Sequence, residues 1–264
     1  MFGNKYPLSL FPSLYTTYKI TDKQDLQLNY SRKVNRPNFF QLIPFIDFTD
    51  SLNLTVGNPD LIPEFTNNAE LGYSIQYGKG NSNTFLASLY GRNTNNLITR
   101  YQYRTVNPNP FKNDSVLINS YANADRSYTY GIELTGKNTL RKWWDLTTNI
   151  NAFNTTLLAG NLPGSANNNR LSWFGKINNT FRLPKKFTIQ LTADYQSKTL
   201  LPASSSRGGG GGGFFMGGGF GQASNAQGYI KPIYGADISI KKEFMKNNAA
   251  SLSLQFSDRS EERV

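Results

Sequence analysis

The 264-residue chain contains no cysteine and no histidine. Without thiols there is no disulfide, no thiolate nucleophile and no Cys-ligated metal. Without imidazole, His-ligated metals and Ser-His-Asp chemistry are excluded as well. Lack of cysteine leaves the compartment open, since cytosolic and envelope proteins both dispense with it. No run of about 18 apolar residues occurs, so a transmembrane helix is excluded. The opening "MFGNKYPLSLFPSLY" has one lysine and no continuous apolar stretch, and does not read as a secretory signal peptide.

Acidic residues are also scarce: 17 Asp and Glu against 28 Lys and Arg leave a net charge of +11. Such a balance suits nucleic acid or an anionic membrane surface. The cations are scattered or sit beside turns (Arg141, Lys142; Lys185, Lys186; Lys241, Lys242), not interleaved with exposed aromatics. No nucleic-acid partner is expected from that distribution.

What the chain has in quantity is aromatic residues, 14% against a low 38% hydrophobic content, nearly all of them the 18 Phe and 15 Tyr. Together with abundant Asn, Ser and Thr, this composition favours strands joined by polar loops. Residues 187–196, "FTIQLTADYQ", alternate strictly: Phe187, Ile189, Leu191, Ala193 and Tyr195 on one face, polar residues on the other. The same period runs through Leu26, Leu28 and Tyr30, and through Ala69, Leu71, Tyr73, Ile75 and Tyr77. It returns at Tyr128 to Leu134, Tyr234 to Ile240 and Leu252 to Phe256. Weaker copies fall at 12–20, 84–104, 143–157 and 170–182, giving about ten strands, most near the ~9–11 residues a tilted strand needs to cross a bilayer.

Tight turns are expected at 21–24, 78–81, 138–142, 183–186 and 246–249, and long connections at about 34–65, 105–126, 158–169 and 197–228. Short and long connections alternate throughout. Tyr18, Tyr30, Tyr73, Tyr77, Trp143, Trp144 and Trp173 crowd the strand ends, as an interfacial aromatic belt would. The pattern predicts an all-β, antiparallel transmembrane β-barrel segment with short periplasmic turns and long extracellular loops. A soluble β-sandwich, whose strands average about 5–6 residues, is the competing reading. The tract 204–225 ("SSSRGGGGGGFFMGGGFGQASN") lacks the Gly-Lys-Ser/Thr ending of a phosphate loop and reads as an extracellular loop.

Three elements then stand together: Ser-Arg-x-x-Asn-Arg-Pro at Ser31 to Pro37, Pro-Phe-x-Asp at Pro44 to Asp47, and Gly-Asn-Pro-x-Leu-x-Pro-Glu at Gly57 to Glu64. With "YGIELTG" (130–136) and "KPIYGADISIKKEF" (231–244), they resemble the barrel of TonB-dependent outer-membrane receptors. The resemblance is nearest to the outer-membrane β-barrel family typical of Bacteroidota and spans essentially the whole chain. Within the hallmark, Gly57, Asn58, Pro59, Leu61, Pro63 and Glu64 are read as structural. Pro59 and Pro63 remove backbone donors and fix φ, which stops strand pairing ahead of Glu64, and Asn58 before Pro59 starts a turn.

The resemblance implies residues 1–264 as part of a larger, 22-stranded barrel, with signal peptide and plug domain absent from these residues. It implies an outer-membrane location and import of a ligand such as an iron chelate, glycan or peptide. Partners so implied are outer-membrane lipid, the TonB complex acting through the plug, and a surface lipoprotein. Candidate ligand contacts are Phe39, Phe40, Phe45 and Phe48 in the first long connection and Arg100, Tyr101, Tyr103 and Arg104 at the second. No catalytic residue, metal or cofactor is expected: Glu70, Glu133, Asp194 and Asp237 share a face but stand on separate strands. A self-contained ten-stranded pore is the alternative within the membrane, and the sandwich is the alternative outside it.

Overall fold

The computed structural model describes residues 9–46, 53–109, 111, 114–162, 167–200, 229, 231–244 and 250–259. Phe48, the turn at 246–249 and the glycine-rich tract 204–225 lie outside the described residues. Among the described residues eleven strands form one sheet. In chain order they are β1 (Ser13–Thr21), β2 (Gln24–Asn35), β3 (Asn53–Thr55), β4 (Glu64–Tyr77), β5 (Asn83–Val106), β6 (Ser115–Arg141), β7 (Trp144–Leu158), β8 (Asn168–Leu183), β9 (Phe187–Gln196), β10 (Ile233–Phe244) and β11 (Ala250–Arg259). A single helical turn, α1 (Phe39–Leu42), precedes β3. Ten strands pair antiparallel with their sequence neighbours, while β3 pairs in parallel with β6. Among the described residues β1 and β11 are edges and do not pair with each other.

Register aligns the apolar positions across the sheet. Leu28, Leu71, Leu89, Ile132, Ala152 and Trp173 stand side by side on successive strands. Period-2 alternation sends Glu70, Ser88, Glu133 and Asn151 to the opposite face. Exposure is then inverted relative to a water-soluble sheet. Leu89 is 56% exposed and Trp173 48%, whereas Asn151 is 2% and Ser172 1% exposed. Only one sheet is present among the described residues, and nothing in it covers the apolar face. A continuous apolar surface of this kind is stable against lipid tails, not water. That overturns the soluble-sandwich alternative.

Aromatic side chains mark both margins of the apolar face. At the tight-turn end Trp143, Trp144 and Phe181 cluster, Trp144 and Phe181 with centroids 5.8 Å apart, and the Trp144 indole donates to Asn179 Oδ1 at 3.0 Å. At the other end Trp173 meets Tyr195 at 4.6 Å. Trp173 and Phe181 are eight residues apart on β8, roughly 26 Å along the strand, comparable with an apolar band about 25 Å tall. The Trp144 indole meets its hydrogen-bonding partner where the headgroups begin.

One connection differs from the sequence-based expectation. Residues 105–126 read as a long loop, but Ser115–Arg141 is a single 27-residue strand, paired out to Ser115↔Val106 on the 24-residue β5. The hairpin thus extends far past the apolar band. Outside lipid neither face must be apolar, so the alternation that betrays a strand weakens there. β3, also unforeseen, occupies the free edge of this extension beyond the end of β7, in register Leu54↔Ile118. Leu54, Val116 and Ile118 pack as a small buried cluster under it.

The polar face has its own interlock. Tyr90 lies opposite Gly131 and crosses it to donate to Asn151 Oδ1 at 3.0 Å on the next strand. A Cβ on Gly131 would fall 2.7 Å from the Tyr90 hydroxyl, from Phe153 Cβ and from the Ala152 carbonyl oxygen. Backbone on that list cannot yield cheaply. Gly91, on the lipid face, has nothing within 4 Å. Gly131→Ala is therefore expected to destabilise the protein by about 1–3 kcal/mol through overpacking, and Gly91→Ala to be neutral or slightly stabilising. Urea unfolding of both variants in lipid vesicles measures the contrast, and equal effects would refute the interlock.

Candidate functional site

The end of the sheet away from the tight turns carries the ordered loop structure. Here the hallmark Gly57 to Glu64 runs from β3 back to β4, anchored by backbone and side-chain hydrogen bonds. Gly57 N–H donates to the Ile43 carbonyl at 2.8 Å and Asn58 N–H to that of Gln41 at 2.7 Å. Any Cβ on Gly57 would sit 2.4 Å from the Ile43 oxygen, so only glycine allows this approach. The Asn58 side chain accepts from Asp60 N–H at 2.9 Å and donates to the Tyr121 carbonyl at 2.9 Å. Asn123 brackets Ile62, accepting from its N–H and donating to its carbonyl, both at 2.9 Å. Pro59 and Pro63 contribute no donor, and no strand forms between Thr55 and Glu64.

Glu64 closes the segment. It is 1% exposed, accepting from Asn35 Nδ2 at 2.8 Å through one oxygen and from Ile98 N–H at 2.9 Å through the other. Leu61, three residues earlier, is buried as well. Asn96, with φ of 55°, breaks the regularity of β5 just before Ile98, and the β4–β5 ladder ends at Phe65↔Asn95. The carboxylate thus supplies the partner that β4 no longer can.

Against this loop opens a cleft of about 390 Å³, lined by Val56 to Pro59, Tyr101, Tyr103, Ser120, Tyr121, Ala122 and Leu162. Tyr101 and Tyr103 stack with centroids 5.6 Å apart on one face of β5. Arg100 and Arg104 are exposed, and alternation turns them to the other face. Of the four residues expected here, two are brought together and two are not. Phe39 and Phe40 sit on α1, whose Asn38–Gln41 capping box fixes the turn. They meet edge to face at 5.9 Å while remaining 72% and 80% exposed; Phe45 is 80% exposed. The bonds from Gln41 and Ile43 to the hallmark tie these rings to the rim of the cleft. Ser120, Tyr121 and Ala122 were not anticipated, because 105–126 gave no strand signal, nor was Leu162, which lies in the long connection at 158–169.

The four carboxylates of the polar face stay apart, on β4, β6, β9 and β10. Glu133 accepts from Asn149 Nδ2 at 3.0 Å, and Glu70 stands opposite Asn29 and Tyr90. None of the four faces a second carboxylate in the register.

The family model described as the outer membrane protein beta-barrel family matches residues 1–210. The chain belongs to that family. Among solved structures it is similar to a mutant ferric enterobactin receptor from Pseudomonas aeruginosa, at 14% identity and a TM-score of 0.58, covering 93% of this chain and 34% of that one. It is also similar to the siderophore receptor PirA from the same organism, at 15% identity and a TM-score of 0.59, covering 94% of this chain and 42% of that one. A third is Pseudomonas aeruginosa FpvA in a pyoverdine–iron complex, at 11% identity and a TM-score of 0.52, covering 93% and 28%. At these identities the likeness shows the fold: the sheet is part of the wall of an outer-membrane β-barrel. The chain spans about a third of the enterobactin receptor's length. No curated protein sequence matches it significantly. Family and fold locate the protein in the outer membrane. In such barrels tight turns face the periplasm and long connections the exterior, so the cleft opens on the outer side.

Proposed function

We propose that this chain forms part of the barrel wall of a TonB-dependent outer-membrane receptor that imports a ligand and catalyses no reaction. The observation that carries the proposal is the outer cleft, where a rigid two-strand extension holds stacked tyrosines against an anchored loop. Aromatic faces with Ser and Asn beside them suit a ligand that is part planar or part apolar and part hydrogen-bonding, as iron chelates, glycans and peptides are. The likeness to siderophore receptors supports the same reading. On the polar face Asn149 Oδ1 and Asp237 Oδ1 are buried without hydrogen-bond partners. Groups of that kind are satisfied when a polar domain fills the barrel. A plug coupled to the TonB complex is the occupant we infer, with further strands joining edges β1 and β11, since lipid does not tolerate open sheet edges.

Uptake by cells expressing the full-length protein tests this reading. Three labelled probes are offered in parallel: a ferric catecholate, an oligosaccharide and a short peptide. At least one is expected to enter in a TonB-dependent manner. The double variant Tyr101→Ala, Tyr103→Ala is expected to lower its affinity about tenfold or more, the loss typical of buried aromatic anchors. Uptake that ignores TonB, or is unchanged in the double variant, would refute the proposal.

A further inference from the structure

A second constellation lies at the outer end of the polar face, between β8 and the chain that follows β9. Pairing of these strands continues beyond Gln196: Ser197 N–H donates to the Trp173 carbonyl at 2.9 Å, and the Ser172 hydroxyl donates to the Lys198 carbonyl at 3.0 Å. Continued register sets Lys198 across from Ser172 and diagonal to Arg170, on the polar side of the sheet. Tyr229, just ahead of β10, brings its ring to both cations. Lys198 Nζ lies 3.3 Å from the ring centroid, and the Arg170 guanidinium carbon 5.7 Å from it. Taken end to end, these distances hold the two charges within about 9 Å of each other.

Two other cations on this face have carboxylate partners, Arg182 meeting Asp145 at 2.6 Å and Lys241 meeting Glu243 at 2.7 Å, and Arg92 donates through Nε to Asn68 Oδ1 at 2.8 Å. Arg170 and Lys198 form no ion pair among the described residues, and Arg170 Nε is buried without a hydrogen-bond partner. A ring face offsets part of the repulsion between the two cations, but it leaves that buried N–H unmet. The local field is positive. Hydrogen bonding to Lys198, and then the charges of Lys198, Lys231 and Arg170, hold the Tyr229 phenol below its ordinary value.

We propose that Arg170, Lys198 and Tyr229 form a binding site for an oxyanion, a carboxylate or phosphate group with at least two negatively charged oxygens. Arg170 offers its planar fork of N–H donors, Lys198 a point charge, and the half-exposed Tyr229 a phenolic donor. The site's place at the mouth of the polar face makes the anion part of the imported ligand, and that assignment alone rests on the receptor reading above.

The test is calorimetric titration of the full-length protein, purified in detergent, with pyrophosphate and with citrate, which separates phosphate from carboxylate recognition. At least one is expected to bind with a Kd below a millimolar. Arg170→Gln and Lys198→Gln are each expected to weaken binding about tenfold, and Tyr229→Phe several-fold, with strand content by circular dichroism unchanged. Should Arg170→Gln disturb folding through its buried atom, Lys198→Gln carries the comparison. Binding of neither anion, unchanged binding in Lys198→Gln, or an equal loss in the tight-turn control Lys79→Gln would overturn the site. These titrations need neither TonB nor cargo. A receptor that imports nothing yet binds the anion through these residues would defeat the transport reading and leave the site standing.

Discussion

Leu89→Arg is expected to destabilise the folded barrel by about 2–4 kcal/mol, the cost of a cation at the lipid-facing midplane. Ser88→Arg, one residue away, is expected to cost less than about 1 kcal/mol. The contrast follows from register. Leu89 sits between Leu71 and Ile132 in the apolar row and is 56% exposed, six residues from the tight-turn end of β5. That is roughly 20 Å along a tilted strand, near mid-bilayer. Ser88 faces the interior, opposite Gly72 and Glu133, where space and a carboxylate await a guanidinium. Urea titration of both variants in phospholipid vesicles measures the difference. Equal costs, or the larger cost at Ser88, would mean the lipid face has been assigned to the wrong side.

The sequence was legible wherever lipid imposes a one-sided demand. In β2, β4, β9, β10 and β11 every second residue must be apolar, and the sets read from the sequence are those the register aligns. That demand stops at the headgroups. Along Ser115 to Asp125 ("SVLINSYANAD"), small and polar residues fall on both faces, so a paired strand looks like a loop. β3 was hidden for two reasons: it has three residues, and its parallel partner lies about 60 positions away in sequence. The hallmark announced itself, but its partners Asn35 and Asn123 are ordinary asparagines until the fold brings them together. Alternation alone separates Tyr101 and Tyr103 from Arg100 and Arg104. Arg170, Lys198 and Tyr229 span three segments, and no local pattern joins them.

Glu64→Ala is expected to cost about 2–4 kcal/mol and to loosen the outer loop, whereas Glu64→Gln costs about half as much. The carboxylate is almost fully buried and accepts two hydrogen bonds, from the Asn35 amide and the Ile98 N–H. Bonds to a charged acceptor are worth about 1.5–3 kcal/mol each, and truncation leaves a buried N–H with no partner. Relief of the buried charge offsets some of that loss, which is why the expected cost falls below the sum of two such bonds. Glutamine keeps an acceptor for Ile98, and its NH2 regains a partner once the Asn35 amide flips to present its oxygen, so most of the geometry survives. The effect reaches the cleft through the chain. Glu64 fixes the end of the segment whose other end, Val56 to Pro59, forms one wall opposite Tyr101 and Tyr103. Alanine should therefore raise protease cleavage between residues 53 and 63 and weaken cargo binding together, with the barrel strands intact by circular dichroism. A Glu64→Ala protein as resistant to protease as the parent, with an unchanged urea midpoint, would mean that the hallmark glutamate does not pin the loop.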